Sequence, residues 1–189
     1  MKHIMVLILV GFGYMFTYSQ SNNFTIGGGY VFANIKDAKT NAAGWRINGA
    51  YEIHPATGKV VHGFAISYLT VSADVEEVSG GQPIVSKYSI GTWPFYYQPK
   101  VLFGNGSLQG YGKGAFGMQF STIKINVPGT SEFKSTDAGL YAGLGAGLTK
   151  SFSLDLSVSL EYEWAYLSNS YYNDGFLNSV NLGIGFRLN

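Results

Sequence analysis

Few residues in this sequence could do chemistry. Its 189 residues include three histidines and no cysteine, which excludes disulfides, thiolate metal sites and cysteine nucleophiles. His54 and His62 flank the stretch PATGK. Acyl hydrolysis would require a serine within hydrogen-bond reach of a histidine, with a carboxylate orienting the ring. Spacing places no serine convincingly beside either ring. Two histidines without an Asp, Glu or Cys cluster at ligand spacing do not define a metal site. Glu161 and Glu163 lie two residues apart, but paired carboxylates without a substrate groove are weak grounds for glycosidase chemistry. The glycine-rich GYGKGAFG is followed by no helical pattern that could present an N-terminus to a phosphate. The expectation is therefore no catalytic residue, no cofactor and no metal.

Composition narrows the setting. Charged residues make up 12% and aromatics 16%, with 26 glycines, against a usual charged share of about a quarter. The net charge is +1, so no basic excess exists to neutralise nucleic-acid phosphates. At the N-terminus, Lys2 and His3 precede an apolar run from Ile4 to Phe16, and Thr17-Tyr18-Ser19 supplies small residues at the −3 and −1 positions of a cleavage site. Residues 1–20 are expected to be a cleaved signal peptide, because the run falls short of the ~20 residues needed to span a membrane. Residues 21–189 form the expected mature domain. If that domain lies in a membrane, strands must carry it there.

The remaining chain alternates with a period of two. In 151–168, Phe152, Leu154, Leu156, Val158, Leu160, Tyr162, Trp164 and Tyr166 share one face, while Asp155, Glu161 and Glu163 lie on the other. Such a run specifies an extended strand with one apolar face. The same reading predicts strands at 23–35, 44–54, 59–73, 87–103, 108–124, 137–149 and 179–189, eight in all. Long polar connections (KDAKTNAA, DVEEVSGGQPIVS, NVPGTSEFKST and NSYYNDGFLN) alternate with tight ones at PATGK, Asn105-Gly106 and near Lys150. That asymmetry predicts an up-and-down transmembrane β-barrel with short turns on the periplasmic side.

Two closed folds accommodate eight strands: a lipocalin-like carrier with its apolar face inward, and a membrane barrel with that face toward lipid. The polar face carries Arg46, Lys100, Lys113 and Arg187 together with Glu52, Asp155, Glu161 and Glu163. Facing these charges to lipid would cost ~2–4 kcal/mol for each basic residue near the midplane, a penalty comparable in total to a domain's stability of about 5–15 kcal/mol. They are expected to face inward as a balanced structural network. Trp45, Trp93, Trp164, Tyr162 and Tyr166 fall on the lipid face, where interfacial aromatic girdles form. Gly139, Gly143, Gly145 and Gly147 share the inward phase of Tyr141, leaving room for large neighbours across the sheet.

SIGTWPFYYQPK, GYGKGAFGMQF, GLYAGLGAGL and the closing NLGIGFRLN, together with the signal-peptide exit, resemble small outer-membrane barrels common in Bacteroidetes, within the broad OmpA/OmpX/OmpW-like group. The resemblance implies location in the bacterial outer membrane, contact with its lipid, and recognition of the last strand by the barrel-insertion machinery. That strand departs from the group's pattern by ending in Asn189 in place of an aromatic. The role expected is structural or surface-interactive and non-catalytic. Tyr171, Tyr172 and Phe176, beside Asn173-Asp174-Gly175, are expected on an outer loop, where they either contact a glycan or protein or pack over the barrel mouth. Two alternatives remain. One is OmpW-like passage of small apolar molecules, for which Leu69, Val71 and Leu167 have the inward phase. The other is a lipid A-modifying enzyme, which must contend with histidines on the opposite rim.

Overall fold

A computed structural model describes residues 19–36, 40–55, 58–79, 82–169 and 171–188. Most of the signal-peptide expectation lies outside these residues, except that Ser19 and Gln20 open the first strand. Eight strands follow in order: β1 (Ser19–Ile35), β2 (Thr40–Pro55), β3 (Val60–Ser79), β4 (Gln82–Phe103), β5 (Leu108–Asn126), β6 (Phe133–Ser151), β7 (Leu156–Leu167) and β8 (Tyr172–Leu188). Each pairs antiparallel with its sequence neighbour, and β1 pairs with β8 from Asn22↔Leu188 to Ile35↔Tyr172. Closure leaves no sheet edge, the condition for placing strand backbone in hydrocarbon.

Alternation sorts the side chains as predicted. Trp45, Trp93, Trp164, Tyr162 and Tyr166 all point outward and are exposed. From Phe24 and Phe186 at one end to the three tryptophans at the other, most outward residues are apolar, aromatic or glycine, with Lys150, Thr70 and Asn178 as polar exceptions. Near that upper boundary the rings meet: Trp45 lies 5.4 Å from Tyr68, and Tyr68 lies 4.7 Å from Trp93. An apolar exterior bounded by aromatics suits lipid and excludes the carrier orientation.

The predicted long loops are mostly strand. β3 and β4 remain paired through Asp74↔Lys87 up to Ser79↔Gln82, although 74–86 is expected to be a loop. β6 already begins at Phe133 and β8 at Tyr172. Above the girdle the two-residue period continues with its polarity reversed. Asp74, Glu76, Lys87, Lys124 and Lys134 face outward and are exposed. Val71, Tyr88, Ile90 and Ile123 face inward and are buried. Polar content reads as loop when taken alone, but here it marks wall standing in water above the membrane.

The opposite rim holds two local corrections. β7 begins at Leu156, not at residue 151. Ser153 Oγ accepts hydrogen bonds from the Asp155 and Leu156 backbone N–H groups, and the Leu156 carbonyl accepts from Phe152 and Ser153. These local bonds replace ladder pairing and fold 152–155 into the turn. At Asn105-Gly106 the connection spans four residues, with positive φ at Gly104 and Gly106 and not at Asn105.

Candidate functional site: the barrel interior and its outer mouth

Six of the eight predicted inward charges meet inside the barrel. Arg46 on β2 lies 3.2 Å from Glu163 on β7, and Lys113 on β5 lies 2.7 Å from Glu161 and 2.5 Å from Glu163. Lys100 on β4 pairs with Glu52 on β2. Hydroxyls complete the central cluster. Arg46 donates to Ser67 (3.0 Å), Ser179 (3.4 Å) and Tyr96 (2.6 Å), while Tyr141 donates to Glu163 and Tyr111 to Glu161 (3.0 Å). Arg46 and Glu163 are fully enclosed, so their charges persist only because each is paired and hydrogen-bonded.

Asp155 and Arg187 do not join this network. Asp155 lies in the exposed β6–β7 turn, where its carbonyl accepts the Arg187 backbone N–H. Asp155 and Arg187 both help line the polar vestibule at this end of the barrel, short of the ion pairs. Arg187 is also exposed, one residue from the end of β8.

The interior has three storeys. Nearest the short turns is a polar vestibule of about 480 Å³, lined by residues including Asn23, Glu52, His54, Lys100 and Tyr111. Above it sit the ion pairs. Beyond them an apolar plug contains Val31, Leu69, Val71, Ile90, Leu167 and Leu177, all at 0% exposure. Leu69, Val71 and Leu167 thus have the predicted phase, but they fill the space they line.

The histidines do not converge. His54 belongs to the vestibule, 3.0 Å from Asn23 and 3.8 Å from Glu52. His62 instead bonds Tyr97 at 2.5 Å, with the two rings stacked. Glu161 and Glu163 share Lys113, which explains their spacing as cation coordination. Among the described residues, no group of three or more His, Asp or Glu side chains could hold a metal ion.

The expected aromatic loop is also reorganised. Tyr172 is buried in β8 with its hydroxyl 3.1 Å from Thr92 Oγ1. Tyr171 is buried beside it and donates to Ser135 at 3.2 Å. These two cover the mouth and are unavailable to a partner, because apolar area beside a dry plug is more stable buried. Phe176 alone stays on the outer surface, stacked on Trp164 at 4.6 Å.

Phe176 belongs to a feature that strand prediction missed. Ala33 pairs with Leu177 and Ile35 with Tyr172, so four residues of β8, 173–176, oppose Asn34 alone. Asp174 and Gly175 take positive φ of 55° and 73°. Asn-Asp-Gly inside an alternating segment was the available signal, since these residues tolerate the left-handed turn of a bulge.

No family profile matches the chain, and no match emerges among curated proteins. Solved structures do resemble it. Neisserial surface protein A (NspA) aligns over 88% of this chain and 97% of its own, at 9% identity and a TM-score of 0.62. A major outer membrane protein from Thermus thermophilus aligns over 88% and 99%, at 10% identity and a TM-score of 0.59. Ail, the attachment invasion locus protein of Yersinia pestis, aligns over 89% and 100%, at 17% identity and a TM-score of 0.54. The shared property is the fold of an integral bacterial outer-membrane β-barrel.

Proposed function

We propose that this protein is a closed, non-catalytic outer-membrane barrel whose working part is the wall and rim above the membrane. One observation carries the reading: the interior is occupied from the ion pairs through the apolar plug, while outward polar residues continue above the girdle. An interior filled by its own side chains is the ordinary state of an eight-stranded barrel. Interaction is left to the outside. Ail, whose name denotes attachment, has been crystallised with the heparin analogue sucrose octasulfate, a precedent for ligand binding on this fold. The quoted strand motifs and signal-peptide exit favour the narrower OmpA/OmpX/OmpW-like assignment in Bacteroidetes, and insertion through the last strand.

The filled plug weighs against OmpW-like passage of apolar molecules. The separation of His54 from His62 weighs against a histidine-based lipid A hydrolase. The test is purified full-length protein in planar bilayers, after a gel-mobility shift between unheated and boiled samples has established the closed barrel. The expected result is that shift without stepwise conductance. Stable channel openings, or hydrolysis of lipid A presented in mixed micelles, would overturn the proposal.

A further inference from the structure

The β8 bulge does more than interrupt pairing. It hangs against β1 and β2 and encloses a groove of about 390 Å³ whose lining includes Phe32, Asn34, Asn41, Asn173, Asp174 and Phe176. Small-ligand sites occupy about 300–1,000 Å³. Asn34 and Asn41 are directly opposite in the β1–β2 register, which puts their Cβ atoms ~4.5–5.5 Å apart. Both are exposed, and neither amide has a side-chain hydrogen bond among the described residues. Asn173 donates to Asp174 at 3.3 Å, orienting the carboxylate. Below them Asn178, also in the lining, accepts the Tyr162 hydroxyl at 2.5 Å. Phe32 and Phe176 contribute apolar surface, at 39% and 36% exposure.

We infer that this groove binds a neutral sugar, an inference that deepens the surface-interaction role proposed above. Planar amides donate to and accept from adjacent sugar hydroxyls, and a carboxylate accepts from them, while an aromatic ring packs against the C–H face of a pyranose. Among the described residues the lining carries one carboxylate and no cation, which favours a neutral ligand over a phosphate or sulfated glycan. The bulge holds the site in an uncommon backbone state. Asp174 is the sole non-glycine residue with positive φ among those described, and such outliers concentrate where a fold positions a ligand. At Gly175 a Cβ would approach the Leu167 carbonyl to 2.7 Å and the Tyr166 ring to 2.6 Å, so the turn is tied to glycine there. The groove also begins at the girdle, because Asn178 pairs with both Phe32 and Trp164. A sugar could therefore come from a glycolipid of the same membrane or from a soluble or cell-surface oligosaccharide.

The experiment uses full-length protein in phosphatidylcholine nanodiscs, with the side-chain amide NMR signals of Asn34 and Asn41 assigned from N34A and N41A. One arm titrates glucose, galactose, mannose, N-acetylglucosamine and lactose. The other compares nanodiscs with and without lipooligosaccharide. The expected result is a saturable shift of both amides in at least one arm. A shift with lipooligosaccharide alone assigns the sugar to the membrane, and a shift with free sugars assigns it to soluble glycans. The N34A/N41A double variant, and D174G separately, should weaken binding at least tenfold while retaining the heat-dependent mobility shift. Unmoved amides in both arms, or wild-type affinity in N34A/N41A, would overturn the inference. Failure of the broader proposal is distinguishable, since it would appear as conductance or lipid A hydrolysis whether or not sugar binds.

Discussion

Glu163 faces two cations, Arg46 and Lys113, and accepts from Tyr141 with no exposure to solvent. Removing its charge leaves both cations short of a partner where water cannot compensate. Breaking one side of a buried pair costs ~3–5 kcal/mol. Glu163→Gln is therefore expected to lower folding stability by about that amount, read as a reduced urea midpoint for the lipid-embedded barrel. Asp155→Ala and Arg187→Ala should stay within ~0.5 kcal/mol of the parent protein, because both residues are exposed and outside the ion-pair network. Equal losses in all three variants would contradict the arrangement of charges described above. Sequence phase identified the six charges that meet, but it could not say which carboxylate shares which cation. Glu161 and Glu163 resemble a catalytic pair until Lys113 is seen between them.

Among the elements, β6 is built to fit β5. Tyr111 stands opposite Gly147 and Lys113 opposite Gly145. A Cβ at Gly147 would come within 2.5 Å of the Tyr111 ring and 2.6 Å of the Leu160 carbonyl. Overpacking of this kind typically costs ~1–3 kcal/mol. Gly147→Ala should reduce the unheated, fast-migrating fraction after refolding into lipid. Gly110→Ala is the matched control, since its nearest heavy atom would lie at 3.9 Å, and it should refold like the parent. A normal yield for Gly147→Ala would show that the ring and backbone can move aside. The same elements explain the misread loops. Strand identity depends on alternation and pairing, and β3–β4 retains both while its outward residues change from tryptophan to lysine.

Viewed as a whole, the molecule is a barrel with two solvents along one wall. Lipid requires apolar residues outside and tolerates paired charges inside; water above the girdle allows the reverse, and an apolar plug can seal the top. This arrangement orients the protein. Lys87, Lys124 and Lys134 lie on the exposed upper wall, whereas Lys59 lies in the β2–β3 turn at the other end. Intact cells treated with a membrane-impermeant amine reagent should show modification at the first three lysines and not at Lys59, by peptide mass spectrometry. Labelling of Lys59 alone would invert the orientation and move the sugar groove to the periplasmic side.

Strand number, inward phase and the apolar exterior could all be determined from the sequence, because a two-residue period is a local property that each segment carries by itself. The tryptophans, the six converging charges and the spacing glycines follow from that phase. Other features required tertiary structure, because they depend on which strand lies alongside and how far pairing extends. Pairing turned 74–79 and 82–86 from loop into wall, and Ser153 folded the chain at Asp155 into a bend. The mouth drew Tyr171 and Tyr172 inward beside the plug. Asn34, Asn41 and Asp174 form one groove because the closing β1–β8 seam accommodates four residues against one, a mismatch that exists only once the barrel is shut.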